Sequence, residues 1–267
     1  MSELTERLDL AIAVAREAGD YVMRLYQSPA LSVERKADRT PVTDADRGAE
    51  ELARARIEAA CPGDAIVGEE LPTREGSSGY RWYLDPIDGT QSFIHGVPLF
   101  GTMLGLEHGD EAVAGVILMP ALGEIVYAAR STGAWWATGV SRDTALDARR
   151  AHVSQAPTLS QATVSATSAR RFGRTEMDLA LARISGAAAL SRGWGDCYGH
   201  CLVATGRIEV MVDPSLMSVW DCAPLLPILE EAGGRFTDVT GSATIHGGSA
   251  VSTNGLVHNE VLAAIRG

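Results

Sequence analysis

The sequence predicts a layered α+β protein, with two N-terminal helices backing an antiparallel sheet and a smaller α/β half behind it. Three observations predict this. Apolar residues recur at spacings of three and four from Leu4 to Leu25 and again from Ala49 to Ala60, the period of a helix with one buried face. Between Phe100 and Ala137 the pattern changes to short β-rich runs joined by tight turns, which means hairpins. After Gln155, strand-like and helix-like runs alternate, as in an α/β layer. Residues 1–145 are read as an N-terminal α+β domain and 146–267 as a C-terminal α/β domain.

The first helix carries Leu4, Leu8, Ala11, Ala15, Ala18, Val22 and Leu25 on one face and ends near Gln27 to Pro29. A polar turn over Arg39-Thr40-Pro41 follows. The second helix starts at Thr43 and Asp44, where Thr43 and Asp46 match a capping box, and buries Ala49, Leu52, Ala53, Ile57 and Ala60. Cys61-Pro62-Gly63 ends it. Ala65 to Val67 is a short buried strand, and Leu71 to Gly79 is a polar loop of the kind that forms a mobile flap. Trp82-Tyr83-Leu84 is a strand. Strands over Met103–Leu106, Val113–Met119, Ile125–Ala128 and Trp135–Trp136 are separated by turns at His108-Gly109-Asp110, Pro120-Ala121-Leu122-Gly123 and Ser131-Thr132-Gly133. Asp143 to Gln155 is polar and crosses between the halves. The second half reads as strands at Ala162–Ala166, Ala187–Leu190, Ile208–Val212, Phe236–Val239 and Ala250–Ser252. Its helices are Glu176–Ile184, Asp196–Ala204, Val219–Ala232 and Leu256–Ile265.

Composition narrows the function classes. The 267 residues are 46% hydrophobic and 21% charged, with a formal charge of −11, which argues against a nucleic-acid-binding surface. No apolar run approaches the ~20 residues of a membrane span, and the charged start is no signal peptide. Four cysteines make no disulfide scaffold in a chain this long, so a reduced, cytoplasmic setting is expected. Cys197 and Cys201 are read as core residues, because no histidine or second cysteine pair completes a metal set.

The chemistry centres on Asp85-Pro86-Ile87-Asp88-Gly89-Thr90. Pro86 keeps Asp85 extended, Gly89 permits a tight turn, and Thr90 opens a short helix. Two carboxylates then stand at a strand's end, next to the N–H groups of a helix start. Carboxylates suit a hard divalent cation, and helix N-termini suit phosphate. Alone, Asp-Pro and Asp-Gly also simply make turns. Two other acidic points, Gly68-Glu69-Glu70 and Trp220-Asp221-Cys222-Ala223, bear on the choice, and Asp46 is a further candidate that doubles as a helix-start acid. The fingerprints of nucleotide-binding glycine loops, serine hydrolases and zinc proteases are absent. Glu69, Asp85, Asp88 and Asp221 would repel one another without cations. Two or three Mg²⁺ ions would relieve that and equip the site to hydrolyse a phosphate ester.

Taken together and in this order, the three acidic motifs resemble those of the inositol monophosphatase family. Within it, Ser92-Phe93, Gly96-Val97-Pro98, Gly133-Ala134-Trp135-Trp136 and Gly193-Trp194-Gly195-Asp196-Cys197-Tyr198-Gly199 look most like the bacterial histidinol-phosphatase branch. The resemblance implies an α-β-α-β-α layering and a homodimer. It implies that Glu69, Asp85, the carbonyl of Ile87, Asp88 and Asp221 ligate the metals, and that the amides of Gly89 and Thr90 hold the phosphate. Thr90 and Asp46 would orient the attacking water. The implied substrate is a small phosphate monoester, histidinol phosphate on the branch resemblance. Inositol 1-phosphate, or a sugar or nucleotide 3′-phosphate, is the alternative, and a non-catalytic binding protein the other class. Arg192, Asp196, Glu209 and Asp213 are candidate substrate contacts that are equally ordinary surface residues. Gln91, and a spacing between Asp213 and Asp221 one residue longer than usual, depart from the family pattern.

Overall fold

The computed structural model describes residues 2–29, 31–35, 41–167, 176–214 and 217–267. The chain opens with α1 (Glu3–Leu25), then β1 (Val33–Arg35), β2 (Pro41–Thr43), α2 (Asp44–Ala60), β3 (Ala65–Gly68), β4 (Tyr80–Asp88) and α3 (Thr90–Ile94). Strands β5 (Gly101–His108), β6 (Glu111–Met119), β7 (Glu124–Ala129), β8 (Gly133–Thr138) and β9 (Arg149–Arg150) complete the first half. The second half holds β10 (Thr163–Ser165), α4 (Glu176–Ala187), β11 (Leu190–Arg192), α5 (Asp196–Ala204), β12 (Val210–Asp213), α6 (Val219–Cys222), α7 (Leu225–Glu231), β13 (Arg235–Thr237), β14 (Ala250–Thr253) and α8 (His258–Arg266). Among the described residues no helix is long and apolar enough to cross a membrane.

Strands β3 to β9 lie side by side in chain order in a seven-stranded sheet, parallel only between β3 and β4. A five-stranded sheet has the order β11-β10-β12-β14-β13, with β14 antiparallel to both neighbours. Alternate residues of the large sheet face opposite cores. Trp82, Leu84, Leu104 and Val116 pack with Leu8, Ala15, Ala53 and Ile57 of α1 and α2. Tyr83, Met103, Ile117 and Val126 pack with Cys197, Cys201, Leu225 and Leu229 of α5 and α7. On the far side of the small sheet, Val164, Val210 and Val251 meet Ile184 of α4 and Val261 of α8. The layers therefore run α-β-α-β-α, as expected. Burial of the large sheet on both faces explains why its strands read as nearly continuous apolar runs. The cysteines are free, and Cys197 and Cys201 are buried core residues as predicted.

The differences from the sequence reading have local causes. The strand through Trp82 does not stop before the acidic motif. It continues to Asp88, with a register shift between Asp85 and Asp88 because Pro86 has no N–H for the ladder. The helix expected over Val219–Ala232 breaks into α6 and α7 at Pro224. The strand placed at Ala187–Leu190 begins only at Leu190, because α4 runs on to Ala187. The crossing segment Asp143–Gln155 contributes the edge strand β9. Ala60 is exposed, whereas Glu50 and Arg54 lie on the buried face of α2. Arg39 and Thr40 of the expected turn lie outside the described residues.

The expected flap, Leu71 to Gly79, is tied down instead. Arg74 exchanges backbone hydrogen bonds with Ile66 at 2.8 Å, and the amides of Ser77 and Ser78 donate to the carbonyl of Gly63. Buried Asp64 anchors the same corner. It accepts from Arg7 Nε and Nη2, both at 2.9 Å, from Ser78 Oγ at 2.7 Å and from Trp82 Nε1 at 2.9 Å. One carboxylate thus joins α1, the loop and β4. Removing it leaves a largely buried guanidinium and an indole N–H unpaired. Asp64→Ala should lower unfolding stability by about 3 kcal/mol or more. Urea denaturation checks this, and a loss below about 1 kcal/mol would mean that water replaces the carboxylate.

Candidate active site

Strand β4 delivers Asp85 and Asp88, and α6 delivers Asp221 to the same point. One oxygen from each of the three lies within 4.8 Å of the others. Asp85 is 2% exposed, and its Oδ1 accepts from the amide of Ile87 at 3.0 Å. The amide of Cys197, in the first turn of α5, donates to Asp88 Oδ2. Asp221 accepts from the amide of Ser218 at 2.7 Å, closing a Ser218–Asp221 capping box. The same S/T-x-x-D spacing stands in the sequence at both Thr43–Asp46 and Ser218–Asp221.

The opening of α3 has the predicted form. Gly89 caps it at φ 86°, in the left-handed region, and a Cβ there would stand 2.9 Å from the carbonyl oxygen of Leu99. The Thr90 hydroxyl donates to the carbonyl of Ile87 at 3.0 Å. Asp46 is buried at the start of α2. Its Oδ2 accepts from Thr43 N at 2.7 Å and Thr43 Oγ1 at 2.6 Å, while its Oδ1 has no partner among the described residues.

Burial and mutual proximity raise the carboxyls gathered here. Asp85 is held well above the usual carboxylate range by burial, then by Glu69, Asp88, Asp221 and Asp46. Burial and the neighbouring Asp88 push Asp221 up to about 8. Burial raises Asp46 to about 6 against its hydrogen bonds from Thr43, with Glu69 adding to the rise. Glu69, at the end of β3, is thus close enough for its charge to act on all three. It stands outside the trio whose oxygens converge. Convergent carboxylates that raise one another's pKa, in an all-oxygen donor set, fit a hard divalent cation.

Beside this point lies a cleft lined by Asp88, Met103, Asp196, Cys197, His200, Asp213, Met217, Asp221 and Leu225. It includes two of the acids proposed as substrate contacts. Asp196 starts α5 at φ 54°, with its amide donating to Thr167 Oγ1 at 2.8 Å. Asp213 is buried at the end of β12, 3.4 Å from His200 Nε2, and neither of its carboxylate oxygens has a hydrogen-bond partner among the described residues. The other two lie away from the lining. Arg192 is exposed on the edge strand β11 and donates to the carbonyl of Ser191. Glu209 accepts from the amide of Thr163 at 2.6 Å and so ties β12 to β10. His200 belongs to the cleft but carries no signal in the sequence, while Met217 lies in the segment between Asp213 and Asp221 whose length departs from the family pattern. Of the loop before Asp221, Ser215 and Leu216 lie outside the described residues.

Known proteins resemble this chain over nearly its whole length. The model of the inositol monophosphatase family matches residues 3–266. A histidinol-phosphatase from Chlorobaculum parvum is 43% identical, over 98% of this chain and 97% of its own. One from Mycobacterium tuberculosis is 37% identical, over 96% of each chain. Among solved structures, an inositol monophosphatase from Zymomonas mobilis superposes with a TM-score of 0.84 at 29% identity, covering all of both chains.

The raised carboxyls give a pH dependence with a definite sign. In the unfolded chain an aspartate titrates near 3.9. The stability gained from the bound protons is fully present below that value. It is lost as pH rises through about 6 for Asp46 and about 8 for Asp221. Metal-free protein should therefore melt lower at about pH 8 than at about pH 5. Asp221→Asn should narrow the gap by melting above the wild type at the higher pH. Parallel melting curves across this range for the two proteins would refute the charge argument.

Proposed function

The chain belongs to the inositol monophosphatase family, and on that premise we propose that it is a Mg²⁺-dependent phosphatase acting on histidinol phosphate. The observation that carries the reading is the meeting of Asp85, Asp88 and Asp221 at one point beside the start of α3. Glu69, Asp85, the carbonyl of Ile87, Asp88 and Asp221 are the groups that would hold two or three ions. Mg²⁺, when bound, supplies a Lewis acid that stabilises phosphoryl charge and acidifies water.

The protein's own groups would do the rest. The amides of Gly89 and Thr90 begin a helix and would receive the phosphate. The Thr90 hydroxyl spends its hydrogen on Ile87, which leaves its oxygen as an acceptor for the attacking water. Asp46 would share in orienting that water through Oδ1, which has no partner among the described residues. Attack in line with the departing alcohol needs no covalent intermediate on the protein.

Two lines support histidinol phosphate as the ester. The relatives bearing that activity in their names cover nearly the whole chain at 37–43% identity. Asp196 and Asp213 line the cleft next to the carboxylate trio, and acids suit an alcohol that carries an ammonium group. Inositol 1-phosphate is the second reading, favoured by the solved relative from Zymomonas mobilis. It offers hydroxyl groups alone to these acids.

Phosphate release measured on both esters distinguishes the two. A higher kcat/KM is expected for histidinol phosphate, by on the order of ten-fold for each well-placed charged contact. Asp213→Asn should reduce that preference, mainly through KM. Equal or reversed wild-type values would refute the substrate assignment and leave the family membership untouched. Asp85→Asn should lower kcat by about 100-fold or more with the fold retained. Near-normal turnover in that variant would reduce Asp85 to a turn residue.

A further inference from the structure

Helix α2 carries a polar stripe on its buried face, formed by Asp46, Glu50 and Arg54 at successive turns. Glu50 is completely buried. Its Oε2 accepts from the amide of Glu70 at 2.8 Å. Its Oε1 accepts from the amide of Leu71 at 3.2 Å and from Arg54 Nε at 2.7 Å. Arg54 Nη2 donates in turn to the carbonyl of Leu71 at 3.0 Å. The neighbouring amide, that of Glu69, donates to the carbonyl of Leu84 at 3.2 Å. The turn leaving β3 is thus fixed at three consecutive residues. Gly68 makes this possible, because a Cβ there would stand 2.1 Å from Glu50 Oε1.

Stability alone is a poor reason for such a pair, since a packed apolar pair commonly serves as well. The charges around Glu69 supply another. Its carboxylate raises the pKa of Asp46, Asp85 and Asp221, so all four repel one another. That repulsion acts to swing Glu69 away from the other acids. A clamp on its backbone opposes the swing, and Arg54 balances the clamp's own charge. We propose that Glu50 is a positioning residue, which holds the backbone of residues 69–71 so that Glu69 faces the divalent cation. The proposal rests on the metal reading given above.

Glu50→Gln tests it. The amide keeps the shape of the side chain but has one acceptor oxygen, too few for both backbone amides and Arg54. Titration calorimetry with Mg²⁺ should show a Kd raised about 10-fold or more, the range typical of lost support behind a metal ligand. Hydrogen exchange should quicken at the amides of Glu70 and Leu71, and kcat should recover toward the wild-type value at saturating Mg²⁺. Glu50→Asp keeps the charge for Arg54 but withdraws the oxygens, and should shift the Kd in the same direction if the glutamine variant does not fold. Ile57→Val, on the same helix and buried, should lower the melting temperature without moving the Kd. A Glu50 variant with quickened exchange at both amides and a Kd within about two-fold of wild type would overturn the proposal. A wild-type protein that binds no Mg²⁺ would overturn the metal reading itself, a result distinct from the first.

Discussion

Mutual repulsion among carboxylates is the constraint around which this molecule is built. Asp46, Glu69, Asp85, Asp88 and Asp221 come from α2, the turn after β3, β4 and α6, and burial leaves Asp46, Asp85 and Asp221 little water to screen their charge. The four aspartates are held from behind by hydrogen bonds. Asp46 and Asp221 serve two purposes, because the same carboxylate that caps its helix with Thr43 or Ser218 also reaches the site. Asp85 turns back to the amide of Ile87, and Asp88 is gripped by the amide of Cys197 from the other half of the chain. The charge that destabilises the cation-free site is what gives it affinity for a cation.

The second requirement is that two sheets be held in register across this point. The large sheet has a notch in its face where Gly105 and Gly115 stand opposite each other as cross-strand partners. A Cβ at Gly105 would come within 2.5 Å of Ala223 Cβ, and one at Gly115 within 2.2 Å of the carbonyl oxygen of Pro224. The break between α6 and α7 sits in that notch. Because Asp221 lies two residues before Ala223, seating the break also brings Asp221 over Asp85 and Asp88. The proline that interrupts the helix and the glycines that admit it act together with the acid.

Much of the fold was legible because local periodicity carries it. A helix shows its buried face at spacings of three and four, and a hairpin shows its turn in the sequence itself. Where the reading missed, a long-range contact outweighed the local signal. Leu71 to Gly79 has the composition of a free loop, yet backbone bonds to Ile66 and Gly63 fasten it. Glu50 and Arg54 stand four apart on α2 with no apolar signal, and the packing of the β3 turn on them buries both.

The acidic motifs and their chemical type were determined by the sequence. Asp85-Pro86-Ile87-Asp88-Gly89 is short enough that proline and glycine fix its geometry almost unaided, so two carboxylates and a helix start were predictable there. The third member of the trio was not fixed in this way. Asp221 follows Asp88 by more than a hundred residues, and only the docking of α6 on the large sheet brings their oxygens together. The same holds for the cleft. Arg192, Asp196, Glu209 and Asp213 were equivalent candidates in one dimension. Strand pairing put Arg192 on an edge and used Glu209 to join two strands, while the ends of α5 and β12 carried Asp196 and Asp213 to the cleft. A sequence sets which groups are available and how their nearest neighbours bend the chain. Which of them converge depends on packing between elements distant in sequence, and no local pattern encodes that.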